Sequence, residues 1–84
     1  MYEILLENRA EHDLRRLSTA IFSRIMQKIQ DLSQNPGPPG CRKIVGAKND
    51  WRLRVGDYRV IFEIDDQDQA VRIMRVRHRR EAYR

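Results

Sequence analysis

Apolar residues follow two different rhythms along this chain, and the switch between them is the main structural signal. Tyr2-Glu3-Ile4-Leu5-Leu6 is short, apolar at most positions and free of glycine and proline, which predicts a strand. Asn8 then offers a helix cap, and Ala10, Leu14, Leu17, Ile21, Ile25, Ile29 and Leu32 recur three or four residues apart. The other side of that stripe is charged, with Glu11, Asp13, Arg15, Arg16, Arg24 and Lys28, and His12 is expected there facing solvent. Ser18 and Thr19 interrupt the run, and either can cap a second helix. The spacing thus predicts a short helix, a tight break and a longer helix to about Gln34. Asn35-Pro36-Gly37-Pro38-Pro39-Gly40 must end it, because proline has no N–H to continue a helix and pushes its predecessor out of the α region.

In the second half the period becomes two. Trp51, Leu53 and Val55 alternate with Arg52 and Arg54, Gly56-Asp57 turns the chain, and Tyr58 to Ile64 forms the next strand. Asp65-Asp66-Gln67-Asp68 turns it again, and Gln69 to about Arg77 runs back. Turns this short join neighbours in an antiparallel meander, to which Arg42–Val45 can add a strand. The expected class is α+β: an N-terminal strand, a helical hairpin, then an antiparallel three- to four-stranded meander with the helices packed on one face. Residues 1–84 are expected to form a single domain, since so short a chain has only a thin core.

Strand parity assigns the two faces of this sheet. Trp51, Leu53 and Val55 should meet the helices, which leaves Arg52 and Arg54 on the open side. In the next strand Arg59 and Glu63 oppose Tyr58, Val60, Phe62 and Ile64. In the last, Arg75, Arg77 and Arg79 share a parity with Val71 and Ile73, and Met74, Val76 and His78 take the other, unless twist or a bulge shifts them. Arg52, Arg54, Arg59 and either Arg79 or Arg77 can converge on one face, where Glu63 is the acidic residue best placed to pair with them. Like charges on neighbouring strands repel, so a fold that keeps such a cluster usually has an anion to receive it.

Charge supports the same direction. Residues 1–41 carry five basic and five acidic side chains, whereas residues 42–84 carry twelve basic against seven acidic, so the whole net charge of +5 lies in the second half. Ten of those twelve are arginines, whose planar fork of donors fits phosphate, and the implied partner is nucleic acid. The single cysteine, Cys41, excludes an internal disulfide and has no activating motif around it. With no apolar leader and no long apolar run, a cytoplasmic protein that does not enter a membrane is expected. His12 and His78 are far apart and have no partner at ligand spacing, so neither a metal nor a cofactor is expected. No phosphate loop, nucleophile elbow or Cys–His pair is present, so any catalysis must come from Arg, Tyr, His and the substrate itself.

The order of a strand, a helix pair, "NPGPPGCRKIVG", "WRLRVGDYRVIFEI" and the terminal "VRIMRVRHRREAYR" resembles the RelE/ParE superfamily of toxins, most of all the RelE branch, over nearly the whole chain. That resemblance implies a ribosome-dependent endoribonuclease that enters the 16S rRNA decoding site and cuts mRNA by attack of its own 2′-hydroxyl on the adjacent phosphate. It also implies a cognate RelB-type antitoxin that masks the basic face. Carried across, Arg52 and Arg54 match the family's paired basic strand residues, Arg59 the arginine after its turn tyrosine, and Tyr83 its near-terminal tyrosine. Arg79 matches the basic residue at the last strand's exit, with Arg77 as the competing assignment. Lys43, Lys48, Arg77, His78 and Arg80 are the accompanying candidates for binding RNA. The paired strand positions are often lysine in the family. Arginine stays protonated, so proton transfer would fall to Tyr83, with its pKa lowered by nearby arginines, to His78, or to ribosomal RNA. Two rivals share the basic face: a ParE-like inhibitor of DNA gyrase without nuclease chemistry, and a plain nucleic-acid-binding module. The latter lacks an aromatic stacking platform, since Trp51, Tyr58 and Phe62 fall mostly on the apolar parity.

Overall fold

A computed structural model of the protein describes residues 1–35, 41–43 and 50–82. Strand β1 (Glu3–Leu6) leads into helix α1 (Asn8–Arg15) and helix α2 (Thr19–Gln34). Strands β2 (Cys41–Lys43), β3 (Asp50–Val55), β4 (Tyr58–Asp65) and β5 (Ala70–His78) follow, and the short helix α3 (Arg79–Ala82) ends the described chain. The strands form one sheet in the order β1-β5-β4-β3-β2. The expected meander is present from β2 to β5, all antiparallel. What strand patterning could not supply is the place of β1, which pairs in parallel with β5 from Glu3 opposite Ala70 to Leu6 opposite Ile73. The sheet is therefore mixed, and its first and last strands are neighbours. The proline-rich segment at 36–40, and Ile44 and Val45 of the expected strand, lie outside the described residues.

Helical spacing works as expected in α2. Ser18 caps it, its Oγ accepting from the Ile21 N–H at 3.4 Å, and Ile25, Ile29 and Leu32 are fully buried. In α1 two expectations are corrected. The cap is Glu7, not Asn8, and it makes no side-chain bond to the helix. Its N–H is held by the Ile73 carbonyl at 2.9 Å, so the parallel pairing with β5 keeps Glu7 extended and α1 begins directly after it. The second correction is Asp13, which belongs to the buried side of the helix and is only 9% exposed. Its spacing from Ala10, Leu14 and Leu17 is that of one face. His12 is exposed, as expected.

The core lies between the helices and one side of the sheet: Ala10, Leu14, Ile25, Ile29 and Leu32 against Leu53, Val55, Val60, Phe62, Val71, Ile73 and Val76. In β3 and β4 the alternation holds as expected. In β5 it does not. Ile61 stands opposite Arg75 but Phe62 opposite Ile73, so Met74 is an extra residue, a β-bulge. Val71 and Ile73 face the core before it and Val76 after it, so Arg75 and Arg77 do not share a side with Val71 and Ile73 as unbroken parity required.

Asp13 meets β5 just past that bulge. Its Oδ2 accepts from the Val76 N–H at 2.9 Å and from Arg75 Nε at 2.8 Å, and its Oδ1 accepts from Arg75 Nη2 at 3.2 Å. The carboxylate thus takes the place of a strand partner where β1 has already ended. Burial pushes its pKa up. The hydrogen bonds from Arg75 and Val76 and the charges of Arg75 and Arg77 more than offset this, leaving it below the ordinary aspartate value.

Because the folded-state pKa is lowered, this stabilisation is present above the ordinary aspartate range and is lost as pH falls below it. Urea unfolding should show Asp13→Asn less stable at neutral pH by on the order of 2 kcal/mol, with the gap to wild type closing in acid. A gap that persists unchanged in acid would contradict this account. Ile29→Ala, at a fully buried site, should cost about 2–5 kcal/mol at any pH in the same measurement.

Candidate functional site

The face of the sheet away from the helices gathers the arginines by register. Arg54 stands opposite Arg59 across the β3–β4 pair, and Arg59 stands opposite Arg77 across the β4–β5 pair. Residues so placed point to the same side with Cβ atoms about 4.5–5.5 Å apart, so three guanidinium groups form a row across three strands. A second row lies two residues further along, at roughly 6.5 Å, with Arg52 opposite Ile61 and Ile61 opposite Arg75. Arg52 and Arg54 are exposed, and Arg59 and Arg77 half-buried. The row leans on the backbone of the Gly56 hairpin: Arg54 Nε donates to the Gly56 carbonyl at 3.4 Å, and Arg59 Nη1 to that of Tyr58 at 3.2 Å. Gly56 has a φ of 59°, a left-handed conformation that glycine adopts without strain, and it allows the two-residue turn that brings Arg54 and Arg59 opposite each other.

Of the two candidates at the end of β5, Arg77 occupies the strand position in register with Arg59. Arg79 is the first residue of α3; its N–H donates to the Asp57 carbonyl at 2.6 Å, and its Nη1 lies 3.8 Å from the Asp57 carboxylate. It marks the corner where the chain leaves the sheet, beside the row rather than in it. His78 faces the helix side: it meets Tyr58 edge to face, with ring centroids 5.2 Å apart, and its Nδ1 accepts from the Arg80 N–H at 3.2 Å. Both rings line a cleft of about 190 Å³ with Asp13, Arg16, Leu17 and Val76. Arg80 is exposed in α3, and Lys43 pairs through its backbone with Trp51. Lys48 and Tyr83 lie outside the described residues.

Two residues that join the site had no assigned role in the sequence reading. Arg75 lies in the second row, and its partner is Asp13 from α1 rather than Glu63 from the sheet. The signal for Asp13 was available, a carboxylate at the inward spacing of a short helix, but its partner is sixty-two positions away. Among the described residues no three His, Cys, Asp or Glu side chains are grouped to hold a metal ion, and no helix is long and apolar enough to cross a membrane.

An open arginine row on a five-stranded sheet backed by two helices can be compared with known proteins. Residues 4–83 match the family described as the ParE toxin of the type II toxin–antitoxin system, parDE. Toxin RelG of Mycobacterium tuberculosis is 33% identical over 87 residues, spanning 99% of this chain and 97% of that protein. The chain belongs to the RelE/ParE family of toxins. Among solved structures this RelE/ParE toxin resembles a chain of the toxin–antitoxin complex RelBE2 from Mycobacterium tuberculosis, with a TM-score of 0.82 and 28% identity over 92% of this chain and 96% of that one. It is also similar to a chain of the archaeal RelE–RelB complex from Pyrococcus horikoshii, with a TM-score of 0.83 and 25% identity over 93% and 94% of the two chains.

Three like charges in register should leave a measurable strain. At low ionic strength Arg54→Gln should raise the stability of this toxin by about 0.5 kcal/mol in thermal unfolding, and added salt should erase the difference. Inorganic phosphate should raise the melting temperature of wild type more than that of Arg54→Gln. Equal responses would show that Arg54 takes no part in binding the anion.

Proposed function

We propose that this RelE/ParE toxin is a ribosome-dependent endoribonuclease that cleaves mRNA in the 16S rRNA decoding site. The observation that carries the proposal is the in-register row of Arg54, Arg59 and Arg77 on the open face, with Arg52 in the row beside it. In this reading the 2′-hydroxyl of the message attacks the adjacent phosphate, forming a 2′,3′-cyclic phosphate and releasing a 5′-hydroxyl. Because the nucleophile belongs to the substrate, no metal or cofactor is required. Arginines cannot give up protons at working pH, so their task is to stabilise the charge that grows on phosphate in the transition state. Proton transfer falls to Tyr83, with ribosomal RNA as the other source. Arg77 takes the role of the last strand's basic residue, supported by its pairing with Arg59. Arg79 and Arg80, at the exit of β5, serve RNA binding together with Lys43 and Lys48, whereas His78, on the helix side, takes no part in the row.

The partner in the resting state is a RelB-type antitoxin, by likeness to the RelBE2 and RelE–RelB complexes, and it masks the arginine face. The match to the family described as ParE toxin favours one second reading, a gyrase inhibitor that uses the same fold without cutting RNA.

Both readings meet in one experiment. The purified chain is added to ribosomes translating a defined message and the ends are mapped by primer extension; in parallel it is added to DNA gyrase. Cuts in the decoding site support the nuclease, whereas gyrase-dependent DNA breaks without cuts support the rival. If RNA is cut, Tyr83→Phe should slow cutting by about 10²-fold and Arg77→Ala by at least about tenfold. Cutting by Tyr83→Phe at the wild-type rate would remove Tyr83 from the mechanism.

A further inference from the structure

Past the bulge, β5 has a choice that the rest of the sheet does not. Were Met74 drawn into the ladder, Val76 would turn out of the core and Arg77 would turn away from Arg59. Burial of Val76 opposes that slip, and so does Asp13, which reaches in from α1. The three hydrogen bonds on its carboxylate come from the two residues immediately after Met74: two from the Arg75 guanidinium and one from the Val76 N–H. Only the bulged register presents both residues to it at once. It is also the buried charged side chain among the described residues, at 9% exposure. A carboxylate costs free energy to bury, so its presence calls for a role beyond filling space. Its location supplies one: it adds negative charge at the margin of a crowded set of arginines, and the charge of Arg77 acts on it as well as that of Arg75.

We propose that Asp13 is a positioning residue for the arginine row: by holding Arg75 and the Val76 N–H it sets the register of β5 beyond the bulge, and so the place of Arg77 beside Arg59. It does not touch the substrate. The inference rests on the nuclease reading for its kinetic consequence, but the position of Arg77 can be tested without it.

Asp13→Asn keeps the shape and one acceptor for the Val76 N–H while removing the charge, and Asp13→Ala removes both. With ribosomes saturating, and activity referred to the folded fraction, Asp13→Asn should lower kcat at least about tenfold while KM changes little, since misplacing a group by about 1 Å can cost about 10²-fold. Combining Asp13→Ala with Arg77→Ala should cost no more than Arg77→Ala alone, because a displaced side chain has nothing left to lose. A purely structural role predicts the opposite, wild-type kcat in the folded fraction or losses that add in the double variant, and either result overturns the proposal. Should Asp13→Ala not fold, the same cycle is run with Asp13→Asn. A titration with inorganic phosphate, followed through the Arg77 Nε–H resonance by NMR, separates this inference from the nuclease reading. Asp13→Asn should weaken the Arg77 response while Arg52, on β3, keeps its own. If wild type cuts no RNA the nuclease reading falls, and an unchanged Arg77 response in Asp13→Asn overturns the positioning role independently.

Discussion

Met74 is one residue too many for the β4–β5 ladder, and every side chain of β5 after it is turned to the other side of the sheet. Two arginines depend on that turn. Without it, Arg75 and Arg77 would point toward the core that Val71 and Ile73 fill, and the open face would end at Arg59. Past the bulge, β5 has no strand on its outer edge among the described residues, because β1 stops opposite Ile73. Asp13 fills that gap with a carboxylate instead of a peptide group, which satisfies the Val76 N–H and ties the first helix to the strand that carries Arg77. Helix packing, sheet register and the arginine row therefore meet at one side chain.

The molecule divides its work between two faces of a single sheet. On the helix side a thin set of aliphatic side chains and Phe62 excludes water and supplies the stabilisation. On the other side Arg54, Arg59 and Arg77 accept mutual repulsion that a protein selected only for stability would avoid. That tension is what makes the open face read as a binding surface. Asp13 reaches this side from a helix and binds Arg75 in the second row.

His78 shows how much one position along a strand matters. It adjoins both Arg77 and Arg79 in sequence, yet it meets Tyr58 edge to face on the helix side, across the sheet from the row. Proximity along the chain would have grouped it with the arginines. Alternation separates it from Arg77 by the thickness of the sheet. Arg79, by contrast, leaves the sheet altogether and is held at the Asp57 turn as α3 begins.

Much of this was legible in the order of residues. Periodicity alone determined the two helices with their break at Ser18, the hairpins at Gly56 and Asp66, the apolar side of β3 and β4, and the outward placement of Arg52, Arg54 and Arg59. Those features depend on neighbours within a few positions, where helical and strand geometry leave little freedom. The pairing of β1 with β5, the bulge at Met74 and the burial of Asp13 were decided only by the tertiary structure. Each depends on a contact across most of the chain, and each is settled by which arrangement satisfies buried backbone and charge at once, a condition no local pattern records. The choice between Arg77 and Arg79 for the position beside Arg59 belongs to the same group. The extra residue in β5 brings Arg77 instead of Val76 opposite Arg59, and Arg79 is excluded because the chain has already left the sheet for α3, an ending that strand alternation does not record.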